Sequence, residues 1–164
     1  MISSVYSKEV NDTIDNARKA YLEGRSKVID INDSKKSIPY PFHSPEDWRD
    51  CSIYFLMVDR FNNPKAPPKY RWNSICSDWQ GGTINGVREQ LQYIQELGLN
   101  SIWISPVLKQ PNKSQWAAIY HGYGAQNFLE IDSRYGTDQD LIELIEEAHA
   151  RGIYIILDIV LNHS

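Results

Sequence analysis

Three polar side chains near the C-terminus, Asp158, Asn162 and His163, are the residues of this sequence best suited to chemistry. They follow the apolar run 153–157, which comes directly after a glycine and is rich in β-branched residues. Such a run is typical of a parallel strand buried on both faces. A carboxylate at the end of a buried strand is unfavourable unless it is paired or hydrogen-bonded. The carboxylate of Asp158 therefore needs a structural or functional reason, and His163 taken alone would more often be a hydrogen-bonded core histidine.

A second group of candidate residues lies in the stretch 107–136, which carries His121 and Tyr123. The stretch has no sustained periodicity, and structureless loops of this length are usually functional. The plain alternative is that both rings only fill space within the loop.

A third candidate, Asp59, comes directly after the apolar run 52–58. A single carboxylate at a strand end is more often structural, and we predict that role for Asp59.

The elements that must position these residues alternate between strands and helices. Strands are predicted at 52–58, 100–105 and 153–160, each an apolar run followed by polar or turn residues. Helical stripes fill the two intervals, and each begins after a threonine that can serve as the N-cap. The threonines are Thr83 and Thr137, and the stripes end at glycines, Gly98 and Gly152.

This alternation predicts an α/β fold with parallel strands and right-handed crossovers. A nucleotide-binding sheet would carry a short glycine-rich turn after its first strand, whereas a long aromatic loop stands there. In a (β/α)8 barrel the loops after the strands build the active site, and Asp59, Tyr123 and Asp158 all fall on that face. We predict the N-terminal portion, about three β/α units, of an incomplete (β/α)8 TIM barrel.

Residues 1–47 are predicted to be an extension, partly helical, before a partial (β/α)8 domain at 48–164. A helix is expected at 10–22, although its apolar stripe is weak. The stretch 37–45 contains three prolines and is predicted to be irregular.

Composition excludes several classes of protein. The chain has 164 residues, of which 41% are hydrophobic and 23% charged, as in an ordinary globular domain. A net charge of −4 without a long basic run argues against a nucleic-acid partner. No apolar segment reaches the length of about 20 residues that spans a bilayer. The N-terminus lacks the apolar core of a signal peptide, and Cys51 and Cys76 form no metal or redox spacing, so we expect a cytoplasmic protein with free thiols.

Four motifs, in the same order along the chain, resemble the alpha-amylase family of glycoside hydrolases. The segment 158–163 resembles the Asp-x-x-x-Asn-His motif that follows the third strand of that family. The segments 120–128 and 131–137 are similar to its second-loop signature. Matches at 59–61 and 81–83 complete the set. The resemblance covers roughly the residues from Trp48 to the C-terminus and does not cover the N-terminal extension.

The resemblance implies a role for each residue of the two clusters. Tyr123 corresponds to a tyrosine that stacks on a sugar ring, which suits an aromatic face. His121 and His163 correspond to histidines that hydrogen-bond sugar hydroxyls. Asn162 corresponds to a ligand of a structural calcium, the cofactor that the resemblance implies. Asp158 corresponds to an aspartate that supports the geometry of the site without performing the chemistry.

The resemblance also implies that no catalytic residue lies in this chain. Retaining glycosidases use a nucleophile and an acid/base, both carboxyl groups. In the family these follow the fourth and fifth strands, and their positions would lie beyond Ser164. The function that the resemblance implies is a fragment of a retaining hydrolase of α-glucosidic bonds, with starch- or glycogen-like glucans as partners. The 164-residue chain alone is expected to be inactive. The alternative is a non-catalytic carbohydrate-binding remnant.

Overall fold

The computed structural model describes residues 2–31, 33–71, 78–112 and 119–163, with side chains from residue 8 onward. Cys76 lies outside the described residues, whereas Cys51 is a free thiol. The chain divides into two compact units, Met1–Glu46 and Asp47–Ser164. The sequence analysis placed its own division after residue 47.

The N-terminal unit begins with the helix α1, Ile2–Leu22, which starts well before the predicted residue 10. No glycine or proline occurs within it, so nothing in the sequence interrupts the backbone hydrogen bonds. The helix ends at Gly24, whose φ of 62° is readily adopted only by glycine. Gly24 N donates to Tyr21 O at 3.1 Å and Arg25 N to Ala20 O at 3.1 Å, the paired bonds of a Schellman stop.

A β-hairpin follows the helix, and the sequence analysis did not predict it. Its strands, β1 (Ser26–Ile31) and β2 (Ser34–Pro39), pair antiparallel with Ser26 opposite Pro39 and Ile31 opposite Ser34. The prediction of irregular structure from residue 37 is therefore wrong for the end of β2. Pro39 is compatible with the strand because it occupies the last position of the ladder.

The C-terminal unit is built on a three-stranded parallel sheet with the order β3-β4-β7. Its strands are β3 (Ile53–Leu56), β4 (Ser101–Ile104) and β7 (Tyr154–Leu157). Helices α3 (Ile84–Glu89) and α4 (Leu91–Glu96) lie between the first two strands, and α5 (Asp138–Ala150) lies before the third. The predicted order of strands and helices is confirmed, although each strand is shorter than predicted.

The helix termini agree with the predicted signals. The Thr83 side chain accepts a hydrogen bond from Gly86 N at 3.0 Å, and Thr137 forms a capping box with Asp140. The last turns end at Gly98 and Gly152, with φ of 80° and 75°. Between β3 and β4 the sequence predicts one helix, whereas the structure has two, α3 and α4, which meet at Gln90.

Among the residues that the structure describes, the helices cover one face of the sheet. Leu56, Ile102 and Ile104 pack into a core with buried residues of the helices. The core residues from the helices are Ile84, Val87, Leu91, Ile94, Leu144 and Ala148. On the opposite face, Phe55 is 48% and Trp103 40% exposed. The expectation of burial on both faces is therefore wrong for this chain, because the described helices pack against a single face.

The long stretch after β4 contains regular structure that the sequence analysis missed. Strand β5 (Leu108–Lys109) pairs antiparallel with β6 (Asn127–Ile131). A short helix, α2 (Val58–Phe61), also follows β3 directly and contains Asp59. None of the described helices combines the length and apolarity needed to cross a membrane.

Candidate active site

Tyr123 joins the predicted sugar-contacting residues into one cluster. Its hydroxyl donates to Asp158 Oδ2 at 2.7 Å. Its backbone N–H donates to His121 Nδ1 at 3.0 Å, and the two rings lie 5.5 Å apart. Its carbonyl lies 2.8 Å from His163 Nε2, which must donate because a carbonyl can only accept. The structure therefore brings four residues together that the sequence analysis selected from two distant segments.

Asp158 accepts a second hydrogen bond, from the indole N–H of Trp103, at 3.2 Å. The sheet register explains this contact, since Trp103 lies opposite Ile156 and Asp158 is two positions further along the same face. The sequence analysis missed Trp103. A tryptophan within an apolar strand was the available signal, because its N–H usually has a hydrogen-bond partner.

Burial and the contact with Asp158 together keep Tyr123 protonated. Burial, the hydrogen bond and the nearby negative charge of Asp158 raise the pKa of Tyr123 to about 12. The phenol therefore remains neutral and continues to donate throughout the neutral range. A neutral donor locked to a carboxylate keeps the ring from rotating freely.

The Tyr123 pKa is open to direct measurement by absorbance at 295 nm, as the difference between the unmutated chain and Tyr123→Phe. We expect this residue to ionise near pH 12, and at a lower pH after Asp158→Asn removes the charge, although burial still holds the pKa above its ordinary value of about 10. Because the folded-state pKa is the higher one, the stability that this group contributes is full below about pH 10 and falls as pH rises toward 12. Ionisation near pH 10 in both chains would contradict the proposed contact.

A buried network supports the loop that carries Tyr123. Gln110, 1% exposed, donates from its backbone to Asp132 Oδ2 at 2.9 Å and accepts from Gly124 N at 2.9 Å. Asp132, 2% exposed, also accepts from Arg134 Nη2 at 2.6 Å and Nε at 2.8 Å. Asp132 and Arg134 lie in the segment 131–137 that carries the family resemblance, but they were assigned no role from the sequence, and Gln110 was not singled out. Their burial, which would have marked them as supporting residues, is visible only in the folded chain.

Asp59 has the structural role that the sequence analysis predicted. It is 1% exposed, and its carboxylate accepts hydrogen bonds from Gln80 N and Gly81 N at 2.9 and 3.0 Å. It also pairs with Arg60 Nε at 3.1 Å. The Arg60 guanidinium in turn lies 3.7 Å from the centre of the Tyr120 ring. These contacts connect the loop after β3 to the loop that bears His121 and Tyr123.

A pocket of about 700 Å³ lies along the loop after β3. Its lining includes Asp59, Tyr70 and Gln80 but none of the four residues clustered around Tyr123. We place the candidate site at the strand ends instead, because the hydrogen-bonded rings and the carboxylate converge there.

The predicted calcium ligand, Asn162, is exposed, and its amide nitrogen lies 3.5 Å from His163 Nδ1. An amide oxygen is a donor that calcium prefers, but calcium takes roughly six to eight oxygens. Within the described parts of the chain, no three His, Cys, Asp or Glu side chains are grouped so as to hold a metal. Asn162 therefore fits calcium by donor type, and the described residues form no carboxylate group beside it that would complete the coordination.

Known proteins match most of this chain in sequence. A family model described as alpha amylase, catalytic domain, matches residues 12–164, so the match begins within α1 and reaches further toward the N-terminus than the motifs do. Alpha-amylase 2 of Schizosaccharomyces pombe is 38% identical over 125 residues, which are 75% of this chain and 22% of that protein.

Solved structures give the same result. An alpha-amylase from Malbranchea cinnamomea superposes with a TM-score of 0.65 at 36% identity, covering 71% of this chain and 25% of the other. The alpha-amylase of Geobacillus thermoleovorans, solved with acarbose, gives a TM-score of 0.58 at 36% identity, covering 73% and 26%. The chain thus spans about a fifth to a quarter of the relatives it matches. It belongs to the alpha-amylase family of glycoside hydrolases and carries the N-terminal part of the catalytic (β/α)8 barrel.

Proposed function

We propose that this chain forms the sugar-binding wall of a hydrolase that cleaves α-glucosidic bonds in starch- or glycogen-like glucans with retention. The observation that carries the proposal is the hydrogen bonding of Tyr123 to His121, Asp158 and His163 at the strand ends. The relatives are alpha-amylases, and one of them was solved with acarbose bound.

The cluster has the chemistry that a sugar requires. Tyr123 offers an aromatic face for the apolar face of a sugar ring. His121 and His163 add imidazoles that can exchange hydrogen bonds with sugar hydroxyls. The hydrogen bond from Tyr123 to Asp158 sets the ring orientation before a ligand arrives, which lowers the ordering cost of binding.

Neither Asp59 nor Asp158 is proposed as the nucleophile or the acid/base. Asp59 is buried and accepts backbone hydrogen bonds, and Asp158 already accepts from Trp103 and Tyr123. Retaining hydrolysis needs two carboxyl groups about 5–5.5 Å apart across the scissile bond. In this proposal those groups come from the rest of a complete barrel, and the 164-residue chain alone releases no sugar.

The proposal can be tested in a complete barrel, made by joining residues 1–164 to the part of the Schizosaccharomyces pombe relative that follows its matching segment. We expect this complete barrel to release reducing sugar from starch, with the α-anomer formed first. A complete barrel that folds and binds maltoheptaose but releases no sugar would favour the non-catalytic remnant. A folded complete barrel that does neither would overturn the proposal.

We also propose that Asn162 supplies one ligand to a structural calcium in the complete barrel. A metal that binds only the folded state stabilises it, by about 2.7 kcal/mol at a hundred times its Kd. The melting temperature should therefore rise with calcium and respond more weakly after Asn162→Ala. The exposed Asn11→Ala in α1 serves as the control. A melting curve of the unmutated barrel that calcium leaves unchanged would refute the assignment.

A further inference from the structure

The N-terminal unit contains a pocket of about 370 Å³ that the proposed function does not use. It lies where the C-terminal end of α1 meets the open end of the β1–β2 hairpin. Small-molecule pockets begin at about 300 Å³. None of its lining residues belongs to the four motifs or to the cluster around Tyr123.

Aromatic rings form much of the pocket wall. Tyr21 is 53% and Tyr40 55% exposed, so both side chains remain accessible to a ligand. The His43 ring lies 4.6 Å from the Tyr21 ring at an angle of 47°. Ile38, 7% exposed, adds an apolar surface. Rings with one apolar face and one polar edge suit a ligand that is itself apolar on one face and hydroxylated at its edges.

The backbone around the pocket is held by hydrogen bonds. The Schellman stop of α1 places Tyr21 at the last turn of the helix. Tyr40 N donates to Arg25 O at 2.8 Å, which continues the hairpin pairing beyond its last ladder position. The backbone at both tyrosines is therefore fixed by hydrogen bonds, and ligand binding costs little additional conformational entropy there.

The charge of the pocket favours a neutral ligand. Arg25 lines the pocket, but its guanidinium pairs with Glu23, Nε at 2.6 Å and Nη2 at 2.5 Å from the carboxylate. An anion would have to compete with this carboxylate for the guanidinium. The remaining polar groups include the hydroxyls of Ser26 and Ser37, which exchange hydrogen bonds with neutral ligands.

We propose that this pocket is a second, non-catalytic binding site for an α-glucan chain. The choice of glucan rests on the proposed function, whereas the aromatic and neutral character of the site rests on the pocket itself. Such a site would tether polymeric substrate to the same molecule that carries the sugar-binding wall and raise its local concentration there.

The four histidines of the chain allow each site to be observed separately by NMR of histidine-labelled protein, residues 1–164. His43 reports on the pocket, His121 and His163 report on the cluster around Tyr123, and His149 in α5 is the internal reference. On titration with maltoheptaose we expect the His43 ring signals to shift saturably and those of His149 to stay in place.

Variants define which rings carry the binding. Removal of one stacking ring costs about 0.5–1.5 kcal/mol. Tyr21→Ala and Tyr40→Ala should therefore each raise the Kd for maltoheptaose, measured from the His43 shift, by about 2- to 13-fold. Tyr21→Phe keeps the ring and should bind nearly as well. Val10→Ala, at a position on α1 that is 55% exposed, should change nothing.

Each outcome separates the two proposals. If His121 and His163 shift while His43 does not, the pocket inference is overturned and the proposed function stands. If only His43 shifts, the pocket is supported and the sugar role of the Tyr123 cluster is contradicted. A His43 shift with inorganic phosphate in place of maltoheptaose would identify an anion site and overturn the glucan assignment.

Discussion

Replacement of Asp158 by alanine should lower starch hydrolysis by the complete barrel about 100-fold or more, with little loss of secondary structure. The carboxylate receives the hydroxyl of Tyr123 and the indole N–H of Trp103, so its removal releases both rings at once. A displacement of about 1 Å in a substrate-positioning group can lower the rate 100-fold. The measurement is kcat and KM on soluble starch, with circular dichroism to check the fold.

Three further variants separate positioning from general damage. Asp158→Asn keeps one acceptor oxygen and should lose less activity than Asp158→Ala. Tyr123→Phe keeps the stacking ring but removes its hydroxyl, and should lie between the unmutated barrel and Asp158→Ala. Glu130→Ala breaks only the surface pair with Lys109 and should leave the rate unchanged. Near-normal hydrolysis by a folded Asp158→Ala barrel would show that Asp158 does not position the site.

Replacement of Asp132 by alanine should destabilise the C-terminal unit by about 3 kcal/mol, the lower end of the cost of breaking a buried ion pair. The Asp132 side chain is 3% exposed, and its removal leaves Arg134 without its carboxylate partner and the backbone N–H of Gln110 without its acceptor. Because Gln110 also binds Gly124, the loop carrying Tyr123 should loosen too. Urea unfolding of the 164-residue chain measures the loss.

The pH dependence of the same carboxylate provides an independent check. Burial raises the pKa of Asp132, but hydrogen bonds from Arg134 and from the backbone outweigh burial and lower it overall. A group with a lowered folded-state pKa contributes stability above its unfolded pKa, and this is lost as pH falls. We therefore expect the unmutated chain to lose stability below about pH 4 more steeply than Asp132→Asn. Equal slopes would show that the pair does not contribute.

Local signals were sufficient to predict the alternation of strands and helices. The helix N-caps at Thr83 and Thr137 depend on bonds that span three residues, and the stops at Gly98 and Gly152 depend on single backbone angles. Such features are encoded by neighbouring residues and do not need the rest of the fold. The pairing of β5 with β6 was missed because β5 has only two residues, and so short a strand is defined by its partner. The β1–β2 hairpin was missed because most residues of its two strands are exposed, so no strong apolar pattern marks them.

The sequence by itself determined the family, the parallel arrangement and the identity of Tyr123 and the three residues that contact it, because motif order and residue types are properties of the chain. Only the tertiary structure decided which of their atoms meet. Tyr123 and Asp158 are 35 positions apart, and Trp103 reaches Asp158 across 55. Contacts of that separation depend on strand register and on loops closing over a common core, and no pattern of neighbouring residues specifies either. The same reason explains why the buried Gln110 and Asp132 emerged as supports of the site only in the folded chain.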